Sequence, residues 1–211
     1  MSTLPEAIRR GVKAELAKIH TAIPGRVETF DRVRAMVSVK PLIKRIYRNG
    51  LKVSMPVVSN VPVIFPRTVD ASMTFPLAKG DTGLLLFAER SLENWLAKGG
   101  EAEPGDRRRF DLTDGIFLPG LYPFNAASPA AADGSLTLRF KTAALKLQPD
   151  GKVALGNAQE ELLDILDELF NALIVSFVPT AIGPQQLSEV TNGNLAAIKL
   201  RLVNFLLGNL P

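Results

Sequence analysis

The chain has 211 residues, 46% hydrophobic and 22% charged, with 16 Gly and 15 Pro, a globular composition with room for one large domain or two small ones. No run of eighteen apolar residues offers a membrane-spanning helix, and the first thirty residues carry charges throughout, without the apolar centre of a signal peptide. The absence of Cys excludes disulfides, thiol catalysis and thiolate metal sites, and the single His, His20, excludes any site that needs two imidazoles and speaks against a Ser-His-Asp triad. The net charge of +4 is uneven: residues 1–125 carry 19 Lys or Arg against 13 acids, and residues 126–211 carry 6 against 8. That excess is too small to argue for nucleic acid by itself, but it suggests two regions with different partners.

Residues 5–20 have the spacing of an amphipathic helix, with Pro5 in the first turn and Ala7, Ile8, Val12, Leu16 and Ile19 at intervals of three and four. Ile23-Pro24-Gly25 reads as its stop. From Arg26 to about Phe124 the period becomes two. Val33, Ala35, Val37 and Val39 alternate with Arg34, Met36, Ser38 and Lys40, and Leu51, Val53 and Met55 with Lys52 and Ser54; Asn49-Gly50 between them is the central pair of a type I′ hairpin turn. Val61, Val63 and Phe65, flanked by Pro62 and Pro66, suit an edge strand, and Ala71, Met73 and Phe75 give another alternating run. Leu84–Ala88 is apolar on both faces and is expected to be the most central strand. Ser91 is placed to N-cap a short helix through Leu96 that ends at Gly99-Gly100. Short strands with one helix describe a small closed barrel of the OB type.

Residues 125–134 are small, polar and turn-forming, and read as a linker. Three brief strands follow, carried by Leu136, Leu138 and Phe140, by Leu145 and Leu147, and by Val153 and Leu155. Three such strands cannot bury a core alone and need further copies or a partner. Leu162, Leu166, Leu169 and Leu173 then step by 4, 3 and 4, a coiled-coil seam widened by Leu163, Phe170, Ile174 and Phe177, with Glu160, Glu161, Asp164, Asp167 and Glu168 on the other side. After Gly183-Pro184 a second seam runs through Leu195, Ile198, Leu202 and Phe205, which predicts a helix–loop–helix. The division expected is an N-terminal helix (1–24), a barrel (25–125), a linker and β-stem (126–157) and a helical hairpin (158–211).

Few residues have the chemistry of a site. Asp106, Asp111 and Asp114 beside Arg107-Arg108-Arg109 could supply two carboxylates for a cell-wall hydrolase, but Asp is also a common turn former, and a solvated loop accounts for it more simply. His20 at a helix end suits a structural role, and Trp95 suits packing or plugging the barrel. A single-stranded nucleic-acid binder on an OB scaffold would want aromatics on the barrel face, and the few here fall mostly in buried phase. No phosphate-binding glycine motif, metal site or cofactor site is legible, so catalytic, cofactor and metal residues are all read as none.

The opening helix with His20-Thr21-Ala22-Ile23-Pro24-Gly25-Arg26-Val27 resembles the central-spike proteins of contractile-tailed phage baseplates. The resemblance continues in order through Arg45–Gly50, Val61–Arg67, Thr74–Leu77, Gly80-Asp81, Phe87–Ser91, Trp95 and Arg109–Asp114, most of residues 17–124. The segment Ala181–Gln185 is similar to the tails of short members. The resemblance implies a mainly β fold with terminal helices, in which an OB-fold barrel is followed by a short intertwined trimeric β-helix or β-prism stem; the two apolar stripes of the C-terminal hairpin predict that three hairpins around an axis form a helical bundle capping or sheathing that stem. It further implies a homotrimer attached to a baseplate hub protein, resident in the virion and made in the host cytoplasm. Its role would be to transmit contraction force toward the host envelope, without nucleic acid and without catalysis. Long members carry a His-x-His iron site at the apex; no His follows His20, so that site is excluded and a separate spike-tip protein is a candidate partner. The trimer core is expected to comprise Leu138, Phe140, Leu145, Leu147, Val153, Leu155, Leu162, Leu166, Leu169 and Leu173.

Overall fold

The computed structural model describes residues 3–17, 19–47, 49–126, 133–174, 177–180, 182–186 and 189–205. The chain divides into two compact units, Met1–Ala126 and Ala127–Pro211.

The first unit opens with α1 (Leu4–Leu16), where Pro5 occupies the first turn and the Glu6 carboxylate accepts from the Thr3 N–H. None of its side chains is buried. The strands β1 (Ala22–Asp31), β2 (Met36–Pro41), β3 (Arg45–Ile46), β4 (Lys52–Val53), β5 (Val58–Pro62) and β6 (Thr82–Phe87) follow, then α2 (Glu93–Lys98) and β7 (Gly115–Pro119). Five of these strands form one antiparallel sheet in the order β5-β2-β1-β6-β7, and β3 and β4 make a separate two-stranded ribbon. A single parallel bridge, Val63 to Phe117, with the Ile64 N–H donating to the Phe117 carbonyl, brings the two edges together. The result is an OB-like half-barrel. Its core is the inward phase of each strand: Val27, Val37, Val39, Val58, Val61, Leu85, Phe87 and Phe117, with Leu77 from the loop before β6.

Several expectations need correcting. The strand at the centre is β1, not Leu84–Ala88, and β1 includes Ile23-Pro24-Gly25, the triplet read as a helix stop. Pro24 is tolerated because its carbonyl accepts from the Leu42 N–H one residue past the last β1–β2 pair, so its missing N–H lies where the ladder with β2 has ended. Gly25 is required there: an added Cβ would collide with Val39 Cγ1. Val33 and Ala35 lie outside β2 in a turn where the Asp31 carboxylate accepts from the Val33 and Arg34 N–H groups, which leaves Val33 95% exposed. At the Asn49-Gly50 hairpin the Gly50 N–H returns to the Tyr47 carbonyl and the Tyr47 N–H to Leu51, so the loop is longer than a two-residue type I′ turn. Ala71, Met73 and Phe75 form no strand; the arm from Arg67 to Ser72 is joined by one bridge, while Phe65 and Phe75 meet edge to face.

The second unit holds β8 (Leu136–Phe140), β9 (Ala143–Leu147) and β10 (Val153–Gly156) in a three-stranded antiparallel sheet, then α3 (Leu162–Ile174), β11 (Phe177–Thr180), β12 (Gly183–Gln186) and α4 (Glu189–Phe205). The expected helix–loop–helix is therefore interrupted by a β-hairpin. Phe177, read as part of the helical seam, lies in β11, where Pro179 two residues later forbids continuation of a helix.

Candidate functional site

The register of the three-stranded sheet decides which side chains share a face. Leu136 pairs with Leu147 and Leu138 with Leu145, and Leu147 and Leu145 pair in turn with Val153 and Leu155. Residues directly opposite each other point to the same side, so Leu136, Leu138, Phe140, Leu145, Leu147, Val153 and Leu155 form one continuous apolar face. Within one chain that face is open: Leu138 is 49% exposed, Phe140 57%, Leu147 41% and Leu155 49%, while Leu145 and Val153 are half-buried.

The opposite face is the covered one. Ala144, Lys146 and Ala154 are buried there, and α3 packs against β10. The buried Lys146 ammonium is paired with Asp133 at 2.9 Å. Asp133 in turn accepts from the Ser135 hydroxyl and N–H, and these bonds, then Lys146, hold its carboxyl far below the usual carboxylate range. The small residues pack and the large ones are presented outward, the reverse of a sheet that folds for itself alone.

On α3, Leu162 and Leu166 are half-buried, whereas Ile165, Leu169 and Leu173 are exposed. The expected single seam is thus split: its first two leucines lie inward and its last two outward, joined by Ile165, which the seam omitted. The helices meet where Lys199 of α4 reaches Asp167 at 2.9 Å and Asn171 Oδ1 at 3.0 Å. Leu195 and Leu202 are half-buried and Ile198 is exposed; the side chains of Ile174, Phe177 and Phe205 lie outside the described residues.

In the first unit the acid–arginine cluster is a knot. Arg108 Nε donates to Asp114 Oδ2 at 2.6 Å, and its other nitrogens reach Asp114 Oδ1, Asp106 and the Ser91 hydroxyl. Asp114, buried, also accepts from the Leu92 N–H at the start of α2. The N-cap of α2 is accordingly Leu92, with no side-chain cap from Ser91, whose hydroxyl is spent on Arg108. Asp111 is committed to the Thr113 N–H and hydroxyl, which draw its carboxyl below its ordinary range. His20 packs its ring 5.4 Å from Phe87, and its backbone N–H donates to the Phe110 carbonyl. Trp95 does not plug the barrel: it is 53% exposed. Among the described residues no group of three or more His, Asp or Glu is placed to hold a metal ion, and no helix is long and apolar enough to cross a membrane.

Residues 23–120 match the family described as Phage protein Gp138 N-terminal domain. The matched stretch begins in β1 and ends just past β7, so it takes in every strand of the half-barrel and none of the second unit. A comparison with curated proteins gives no match.

Proposed function

We propose that this protein, whose residues 23–120 match the family described as Phage protein Gp138 N-terminal domain, is a phage protein and a non-enzymatic structural component of a contractile-tail baseplate: a trimeric central spike attached to the tail hub. The observation that carries the reading is the open apolar face of β8–β10. Leu136, Leu138, Phe140, Leu147 and Leu155 stand exposed and Leu145 and Val153 half-buried, on a sheet whose other face holds the buried Ala144, Lys146 and Ala154. A face of that kind costs free energy in water at roughly 25 cal/mol per Å² of apolar surface, and three copies around an axis would cover it. The exposed Ile165, Leu169 and Leu173 add a second apolar surface on the same unit for the same purpose.

The commitment of Asp114 and Asp111 to structural bonds supports a mechanical role over hydrolysis, since paired catalytic carboxylates must stay available to substrate. Attachment to the hub is assigned to the half-barrel, and a separate tip protein is expected to complete the point. The test is the mass of the full chain in solution beside that of Leu147→Asp. The wild type should be a trimer. The variant, which sets an unpaired carboxylate in the shared core, should lose trimer content. A monomeric wild type, or a trimer indifferent to Leu147→Asp, overturns the core assignment.

A further inference from the structure

Past the end of β5 the chain leaves the sheet as an arm, and arm and sheet together line a cavity of about 420 Å³. Small-molecule sites span roughly 300–1,000 Å³, so the size is suitable. The floor is apolar: Ala35, Val63 and Phe65 are half-buried, and the Phe65 ring is held edge to face by Phe75 at 5.2 Å. Ala35 has a φ of 51°, in the left-handed region that a Cβ disfavours, and its carbonyl accepts from the Val63 N–H. Backbone held in such a conformation collects at ligand sites. The arm is stiffened by its own bonds. Met73 N–H donates to the Pro66 carbonyl, Thr68 N–H to the Ala71 carbonyl, and Ala71 N–H to the Thr68 hydroxyl.

None of these bonds uses a charge. Arg67 and Asp70 both line the cavity, and neither side chain enters an ion pair or hydrogen bond among the described residues, with the other or with anything else. The Ser72 and Thr74 hydroxyls, which also line it, are equally uncommitted among those residues. The knot around Arg108 is the contrast: there Asp106, Asp114 and the Ser91 hydroxyl are all committed to the fold. Two open charges of opposite sign make a site that donates and accepts at once. A bare anion would be repelled by Asp70 and a bare cation by Arg67. A wholly apolar ligand would strip water from both charges and return no hydrogen bond. A neutral ligand with hydroxyls at its edge and C–H groups on its face satisfies the charges, the hydroxyls and the floor together.

We propose that this cavity binds the ring of a saccharide, its C–H face on Phe65 and Val63, its hydroxyls donating to the Asp70 carboxylate and accepting from the Arg67 guanidinium. The site lies within the half-barrel unit and stands apart from the trimer reading. The test is saturation-transfer NMR on the full-length protein with glucose, galactose, mannose, rhamnose and N-acetylglucosamine, each alone at millimolar concentration. At least one sugar should receive saturation, strongest on its ring C–H protons. Arg67→Ala and Asp70→Ala should each weaken that binding at least about tenfold, because each removes a charge-assisted hydrogen bond. Ala71→Trp, which fills the cavity, should abolish it. All three positions are exposed, so each variant should keep the urea midpoint of the wild type, and lost binding then reads as a lost site. Saturation reaching none of the sugars overturns the proposal, as does transfer that all three variants leave unchanged. Binding of free alanine or of inorganic phosphate, lost in Arg67→Ala and unaccompanied by any sugar, would show an ionic ligand in the same cavity and overturn the assignment to a saccharide.

Discussion

Gly25 and Asp114 show how single positions hold the half-barrel. Gly25 sits in the central strand opposite Pro41, and any Cβ there meets the buried Val39. Gly25→Ala is expected to cost about 1–3 kcal/mol through overpacking, seen as a lower urea midpoint with an unchanged slope. Asp114 ties the start of α2 to Arg108 and through it to Ser91. Asp114→Ala leaves the Leu92 N–H without its acceptor and takes from Arg108 its buried partner, leaving it Asp106 and the Ser91 hydroxyl, and is expected to cost about 1–3 kcal/mol, measured in the same way. The sequence made neither role visible. Gly25 follows Pro24, and that pair is the usual punctuation of a turn; only the end of the β2 ladder at that point lets a proline enter a central strand. Asp114 stands among turn-forming acids and differs from Asp106 only in being buried by the fold.

At the scale of elements, the strands with a clean two-residue period were legible. Val37 and Val39, and the 136–155 strands, have their large apolar residues on one face because nothing but pleat geometry intervenes. The helical seams were less so. A run of leucines spaced 4-3-4 names a stripe but not what covers it, and α3 turns Leu162 and Leu166 inward while Leu169 and Leu173 stay out. The β11–β12 hairpin was hidden in an apolar run that continued the helical stripe up to Phe177. The β8–β10 sheet also carries an acid-sensitive device. Asp133 pairs with the buried Lys146, and its folded carboxyl titrates well below the unfolded one. A depressed carboxyl contributes stability above its unfolded pKa, and that contribution is lost as pH falls through the folded value. The urea midpoint of the second unit should thus be flat above about pH 5 and decline below about pH 4. Asp133→Asn should show a lower midpoint at neutral pH and lack that part of the decline. Equal acid sensitivity in both proteins would remove Asp133 from the account.

For the whole molecule, the proposed trimer would make stability a property of assembly. If Leu138, Phe140, Leu147 and Leu155 are buried only between copies, folded trimer and dissociated chain differ by three such faces. Mass action then makes the melting temperature rise with protein concentration, whereas a monomer melts at one temperature. The same dependence should be absent in Leu147→Asp if that variant is monomeric, and its melting temperature should fall below that of the wild type at every concentration. Leu169→Ala separates the helical surface from the sheet: it removes an exposed side chain of the single chain, so a monomer would lose little. Burial between copies predicts instead a loss of about 2–5 kcal/mol per site, felt three times per trimer. Flotation with liposomes distinguishes the remaining occupant of that stripe. The acids Asp164 and Glu168 beside it would be repelled by anionic lipid, so the wild type should stay with the soluble fraction and show its full helical circular dichroism without lipid. Helix content that forms only when lipid is added would show that the stripe belongs to a membrane surface and not to the trimer.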